Sequence, residues 1–309
     1  MELLELVDEF GAYVDERSAA VFVGAGLSVP AGFPSWSDLT AHFLTELGLK
    51  SMDDLPQLAQ YYEDDAAGNR QRINQHVVST MRAVKKIEPT RAHLLLNQLP
   101  IDEFWTTNYD GLLEAAISNA YAYEADEALA GPAPPNRRSI YKMHGSIGLT
   151  GTTPKRLVLT RGDFERYSIT NRRFWALLRA QYLTISFLFL GIGFDDPNLN
   201  HIFRLVRLYT SDRTRSHYAV MRRPDGRTKR RLHQLRMKEL EEVGISVVEI
   251  KNFNEIADLL ERLVARCQPF RLYISGSPPG SRSRGRGSYP TATVWGAKSR
   301  EHGQSAPLT

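Results

Sequence analysis

Two patterns of apolar positions alternate along the chain. Short, nearly continuous apolar runs recur at residues 19–23, 104–107, 140–143, 157–159, 185–190, 217–221 and 245–250. Runs of this length suit strands covered on both faces. Between them, apolar residues recur at helical spacing. The spacing predicts helices from Ser37 to about Leu47, over 54–81 with a break at Gly68-Asn69, and after an N-cap at Thr90. Further helices are expected over 111–119, 172–183, 197–209, 228–242 and 254–265, with a loop at 131–135.

Strand, loop and helix in repeated succession predict an α/β fold: a doubly wound (Rossmann-like) parallel sheet with helices on both faces. Residues of about 40–98 would form a small helical insertion. The catalytic domain is expected over 1–274. Residues 275–309 are rich in Ser, Gly, Pro and Arg and lack aliphatic periodicity, so they read as a disordered basic tail. In such sheets ligands lie at the carboxyl ends of the strands, near the point where strand order reverses. Loops directly following strands therefore carry the chemistry.

Four of these loops stand out. Gly24-Ala25-Gly26-Leu27-Ser28 follows the first strand, and its glycines would let backbone approach a phosphate. It departs from the dehydrogenase fingerprint, because Val29 stands at the third glycine position. The loop runs on through Val29-Pro30-Ala31-Gly32-Phe33-Pro34-Ser35-Trp36. Thr106-Thr107-Asn108-Tyr109-Asp110 ends the second run. Its amide and carboxylate could face a crevice or cap the next helix. His144-Gly145 leaves a strand, where a histidine can serve as a base near neutral pH or as a buried structural group. Gly191-Ile192-Gly193-Phe194-Asp195-Asp196-Pro197 follows the most apolar run. Its small residues would admit a ribose or adenine, while Asp195 or Asp196 could cap a helix beginning at Pro197.

Composition narrows the class. The chain has 309 residues, 42% hydrophobic and 24% charged, enough for a sizeable core. The single cysteine, Cys267, excludes an internal disulfide and a multi-cysteine zinc site. The longest apolar stretch, 185–194, is about half a membrane span, and the acidic amphipathic start has no secretory pattern. A cytoplasmic protein without membrane contact is expected. The formal net charge of +4 resides in the tail, so residues 1–274 sum to zero. Residues 213–238 hold ten Lys/Arg and one acid, but lack the interleaved aromatics of single-strand binders. Direct nucleic-acid binding is not expected.

Taken together, Gly24-Ala-Gly-Leu-Ser, Ala31-Gly-Phe-Pro, Thr107-Asn-Tyr-Asp110, His144-Gly and Gly191-Ile-Gly resemble the sirtuin family in order and spacing over residues of about 15–265. Within it the chain looks most like the bacterial antiphage-defence NAD glycohydrolases. The resemblance implies that Gly24, Ala25, Gly26 and Ser28 hold the diphosphate of NAD and that Phe33 lies in the same site. It implies that Asp110 binds the nicotinamide carboxamide and that Gly191 and Gly193 line the adenosine side. Asn108 and His144 would be catalytic, the first placing water or the ribose, the second acting on ribose hydroxyls. NAD would be substrate, with no zinc. Self-assembly into a homo-oligomer, or a partner such as an ATPase, an Argonaute-like protein or a phage component, would control the activity.

Three departures bear on the reaction. The four zinc-binding cysteines of the deacylases are absent, Ser35-Trp36-Ser37 replaces their Asp-Phe-Arg, and residues 157–164 replace their substrate-binding strand. Gly193 also stands where serine is commoner, and Thr107 where deacylases carry glutamine. NAD hydrolysis is the leading expectation. An NAD-dependent deacylase and a non-catalytic NAD-binding module are the alternatives.

Overall fold

The computed structural model describes residues 1–275 except 86, 133, 148–156 and 210–214, with side chains to Cys267. The tail expected from residue 275 therefore lies outside the described residues, apart from Ser275 itself. Among the described residues a parallel sheet forms from β1 (Ala19–Val23), β2 (Glu103–Thr106), β3 (Ala120–Tyr123), β4 (Arg138–Lys142), β5 (Ser186–Leu190), β6 (His217–Arg222) and β7 (Ile245–Ile250). The spatial order is β3-β4-β2-β1-β5-β6-β7, every pair parallel. The chain builds outward from β1 to one edge, then returns to β5 on the other side of β1. The switch point is therefore between β1 and β5. This is the doubly wound α/β sheet that the alternation predicts.

Every residue of β1 and β5 is buried, as the unbroken apolar runs require. Alternate residues feed two different cores. Val21, Val23, Phe104, Ile140, Leu188, Leu190 and Val220 pack with helices α1 (Leu3–Asp15), α6 (Arg91–Gln98), α7 (Leu112–Ala116) and α12 (Glu255–Ser275). Phe22, Trp105, Tyr141, Phe187, Phe189 and Met221 face the other way. They pack with α8 (Arg161–Thr170), α9 (Arg172–Thr184), α10 (Pro197–Tyr209) and α11 (Arg227–Glu242).

A third cluster lies beyond the carboxyl ends of the strands. There α3 (Trp36–Glu46), α4 (Leu55–Asp65) and α5 (Arg70–Arg82) form the helical module and bury Phe43, Leu58, Tyr62, Ile73 and Val77. Phe33, Tyr109, Ile147, Leu157 and Leu159 join it from the strand-end loops, and Leu112 from the start of α7. Ser35 opens α3 with a reciprocal capping box to Asp38. By contrast α6 packs on α12 and α7, in the layer beside the sheet.

Helix α1 has no counterpart among the sequence-based elements, and three further differences stand out. The helix expected over 111–119 covers only Leu112–Ala116. Ile117 turns to extended backbone, Asn119 takes a positive φ of 56°, and the edge strand β3 follows. The run 157–159 forms no strand, and Val158 N–H donates to the His144 carbonyl at 3.1 Å. Helix α8 went unpredicted although Thr160 and Asp163 form its capping box.

Candidate active site at the carboxyl ends of the central strands

The first and fourth loops meet at the switch point. Gly24 N–H donates to the Leu190 carbonyl and Gly26 N–H to the Gly191 carbonyl, each at 2.9 Å. Side chains here would collide. A Cβ on Gly24 would fall 2.6 Å from the Gly191 oxygen, and one on Gly191, at φ +68°, 2.6 Å from the Leu27 nitrogen. Both glycines thus serve the close approach of two backbones. A single helical turn, α2 (Ala25–Ser28), follows Gly24, and a 3-10 turn over Val29–Ala31 follows that. Within the turn Ala25 is half-buried, whereas Gly26 and Ser28 are buried. Phe33 lies buried in the third cluster. Gly193 is exposed, and Arg236 from α11 holds the neighbouring Phe194 carbonyl.

Asn108 ties the second loop to the first. Its side-chain NH2 donates to the Gly24 carbonyl and to Ser28 Oγ, both at 3.0 Å, and its backbone N–H donates to Thr106 Oγ1 at 2.9 Å. Thr106 Oγ1 in turn donates to the Val23 carbonyl at 2.9 Å. Thr106 and Lys142 are register partners in β2 and β4. Asn108 and His144 therefore each stand two residues past the same rung. Met143 N–H to the Thr106 carbonyl, at 3.1 Å, and Ile147 N–H to the Tyr109 carbonyl, at 2.9 Å, keep the two loops together beyond the sheet.

Asp110 caps α7, its Oδ1 accepting from Leu112 N–H at 3.0 Å. Fully buried Lys142 donates to the Asp110 carbonyl and pairs with Glu114 Oε1 at 2.7 Å. This lysine clamps the second loop to β4. A buried lysine needs such partners, yet its position in an apolar strand gave no sign of them.

His144 is buried among aromatic rings. Phe164 meets it edge-on at 5.4 Å and Tyr167 lies 6.2 Å away. Its Nε2 stands 3.0 Å from Asp196 Oδ2, with side-chain exposures of 5% and 11%. The approach is off the line of a hydrogen bond. The other Asp196 oxygen caps α10, accepting from Asn198 N–H at 2.8 Å and Leu199 N–H at 3.0 Å. Tyr167 donates to the Met143 carbonyl at 3.0 Å and Tyr109 to the Val158 carbonyl at 2.7 Å. Burial pushes both phenols far up, and the nearby Asp196 charge adds to this, so both remain donors. Arg70 of α5 donates to the Leu157 carbonyl and pairs with Asp163 at 2.8 Å. The segment 157–159 is thereby fixed from the helical module and from the His144 loop at once.

The expected residues do gather along one edge. Gly24, Gly26, Ser28, Asn108 and Gly191 form one connected set, and His144 follows on the adjoining strand. Asp110 is engaged with α7, and Phe33 with the module. The Asp196 pairing and the Lys142 clamp escaped sequence reasoning. The first had only a capping signal at Asp196-Pro197.

A parallel sheet with a reversed strand order, glycine loops meeting at the switch and an Asn/His pair beside them define a doubly wound α/β protein with a candidate ligand site at the switch point. Residues 102–248 match the family described as SIR2-like domain. The match includes Asn108, Asp110, His144, Gly191 and Gly193 but begins after the Gly24 loop.

Among its relatives is the NAD(+) hydrolase ThsA of Enterococcus faecium, 34% identical over 302 residues, covering 90% of this chain and 61% of that protein. The Bacillus cereus protein of the same name is 34% identical over 286 residues, covering 88% and 59%. The chain thus spans about 60% of the length of these curated relatives. Defense-associated sirtuin 2 of Bacillus subtilis is 24% identical, over 68% of this chain and 21% of that one. A solved structure concerned with sirtuin substrate affinity overlays with a TM-score of 0.47 at 12% identity, covering 86% of this chain and 98% of that one. Among the described residues no group of His, Cys, Asp and Glu is placed to hold a metal, and no helix is long and apolar enough to cross a membrane.

Proposed function

We propose that the chain hydrolyses NAD at the nicotinamide–ribose bond, giving nicotinamide and ADP-ribose. The observation that carries this reading is the common placement of Asn108 and His144, two residues past one β2–β4 rung, beside the switch point of the sheet. The relatives named NAD(+) hydrolase support it.

The chemistry suits these groups. The C1′–N bond breaks through an oxocarbenium-like state, and its electron pair leaves with neutral nicotinamide, so no strong acid is needed. Water supplies the oxygen that bonds to C1′ and releases a proton. Asn108 would accept from that water or from the ribose through its amide oxygen, its NH2 being committed to Gly24 and Ser28. His144 would accept a ribose hydroxyl proton. Gly24, Ala25, Gly26 and Ser28 would hold the diphosphate, with Phe33 in the same site. Gly191 and Gly193 would line the adenosine side, and Asp110 would receive the carboxamide.

Peptide deacylation fits less well. Leu157, Val158 and Leu159 are buried, and their backbone is bonded to His144, Tyr109 and Arg70, so that segment offers no edge to an extended peptide.

Catalysis would rest in residues 1–274, with the basic tail of 275–309 outside it. The role would be NAD depletion in the bacterial cytoplasm during phage infection, controlled by assembly or by a partner protein.

The test is to incubate the purified chain with NAD and no peptide, and follow nicotinamide by chromatography beside Asn108→Ala. Release by the wild type alone supports the reading. NAD binding without release would favour the binding module, and equal release by the variant would move the chemistry away from Asn108.

A further inference from the structure

We propose that Asp196 is a positioning residue for His144: held at the start of α10, it presents its second oxygen to the imidazole and fixes which ring nitrogen carries the proton. The proposal rests on the hydrolase reading of the site.

The two residues come from loops on opposite sides of the sheet centre. His144 follows β4 and Asp196 follows β5, with β2 and β1 lying between those strands. Asp196 Oδ1 is held by two backbone N–H groups of α10, which sets the plane of the carboxylate. Its Oδ2 then stands 3.0 Å from His144 Nε2. Capping alone does not require this. Asn, Ser or Thr would cap α10 as well, without a carboxylate oxygen buried beside aromatic rings. A buried carboxylate is costly unless it is paired, and the His144 ring nitrogen is the side-chain group that stands beside this oxygen.

The arrangement has a chemical consequence. With the proton on Nε2, facing Asp196, the Nδ1 lone pair is free to take a proton from a ribose hydroxyl. That proton goes to Nδ1 and the O–H electron pair stays on oxygen. The imidazolium so formed is stabilised by the adjacent carboxylate, which does not itself become protonated. The present approach is off the hydrogen-bond line, as catalytic contacts commonly are before substrate arrives. Tyr167 and Phe164 limit rotation of the ring, so the carboxylate only has to select the tautomer.

Asp196→Asn separates the two roles, since Asn caps α10 equally well but presents an NH2 or a neutral oxygen to Nε2. Three readouts apply. In long-range 15N NMR at neutral pH, the wild type should show the Nε2–H tautomer of His144, and Asp196→Asn should lose it. In NAD hydrolysis, Asp196→Asn should lower kcat by about ten- to a hundredfold with KM little changed. The melting temperature should stay near that of the wild type. In a His144→Ala background, Asp196→Asn should add no further loss.

The proposal is overturned if the wild type carries the Nδ1–H tautomer, if the tautomer is the same in both proteins, or if kcat is unaffected. Failure of the wild type to release nicotinamide would instead sink the hydrolase reading, and the tautomer measurement would still decide the pairing.

Discussion

The two faces of the sheet are built from different chemistry. On the side of α1, α6 and α12 the strands contribute Val21, Val23, Leu188, Leu190 and Val220 to a core in which Leu, Ile and Val predominate. On the side of α8 to α11 they contribute Phe22, Trp105, Tyr141, Phe187 and Phe189, joined by Phe164, Tyr167, Phe174, Tyr182, Phe194 and Phe203. Aliphatic residues only fill space. Aromatic ones can also carry a polar tip, and here the tips are used. Trp105 Nε1 donates to Gln181 Oε1 at 2.7 Å, Tyr182 to the Val243 carbonyl at 3.1 Å, and Tyr167 to the Met143 carbonyl beside His144. The aliphatic face supplies stability and the aromatic face also supplies placement. This explains why His144 and Asp196 are seated against the second.

Breaking the aliphatic face should have the largest effect on stability. Leu260 of α12 is fully buried, and Leu260→Ala should cost about 2–5 kcal/mol through lost burial and a cavity. Denaturant unfolding measures this, and kcat per folded molecule should be unchanged. Gly191→Ala comes next. Its positive φ and the 2.6 Å approach to the Leu27 nitrogen imply a cost of about 1–3 kcal/mol or more. Because the strain falls where the first and fourth loops meet, NAD binding measured by calorimetry should weaken as well.

Tyr167→Phe tests the aromatic face by removing one hydroxyl. Stability should fall by about 1 kcal/mol, while kcat falls severalfold because the Met143 carbonyl loses its tether next to His144. Equal effects on kcat from Leu260→Ala and Tyr167→Phe would end the distinction between the faces.

How much of this was legible in the sequence follows from the same contrast. The sheet was readable because its central strands are buried on both sides, so their apolar runs are unbroken. Edge strand β3, Ala120-Tyr-Ala-Tyr123, is only partly covered and carries no such run. Gly24, Asn108, His144 and Gly191 stood out in the sequence because each lies within two residues of the end of a strand. Lys142 did not, because it is a charged residue inside a strand and its partners, the Asp110 carbonyl and Glu114, come from the loop and helix that follow β2, about thirty residues earlier. Asp196 was visible as a cap but not as a partner of His144, since their approach depends on the strand order, which no local pattern encodes.

Acidification offers the smallest and most graded test, because each face contains a fully buried histidine whose pKa is pushed down by burial. His93 lies in α6 among the aliphatic core, where burial pushes its pKa down to about 4 although the Asp110 charge acts the other way. His217 of β6 stacks on Tyr182 at 3.8 Å in the aromatic core, and burial pushes its pKa down to about 3. In both, Nδ1 accepts a backbone N–H, from Thr90 at 3.3 Å and from Phe187 at 3.2 Å, so protonation there would forfeit a hydrogen bond. Each folded pKa lies below the 6.5 of a free histidine. Between those values the unfolded chain binds more protons than the folded one, so stability is fully present above 6.5 and is lost as pH falls. The loss from His93 should level off near pH 4 and that from His217 near pH 3. Substituting Asn keeps an acceptor near Nδ1 and removes the titration. The melting temperature of His217→Asn should therefore fall less steeply than that of the wild type down to the lower limit, and that of His93→Asn only down to the higher one. Identical slopes in all three proteins would show that neither histidine is held neutral by its core.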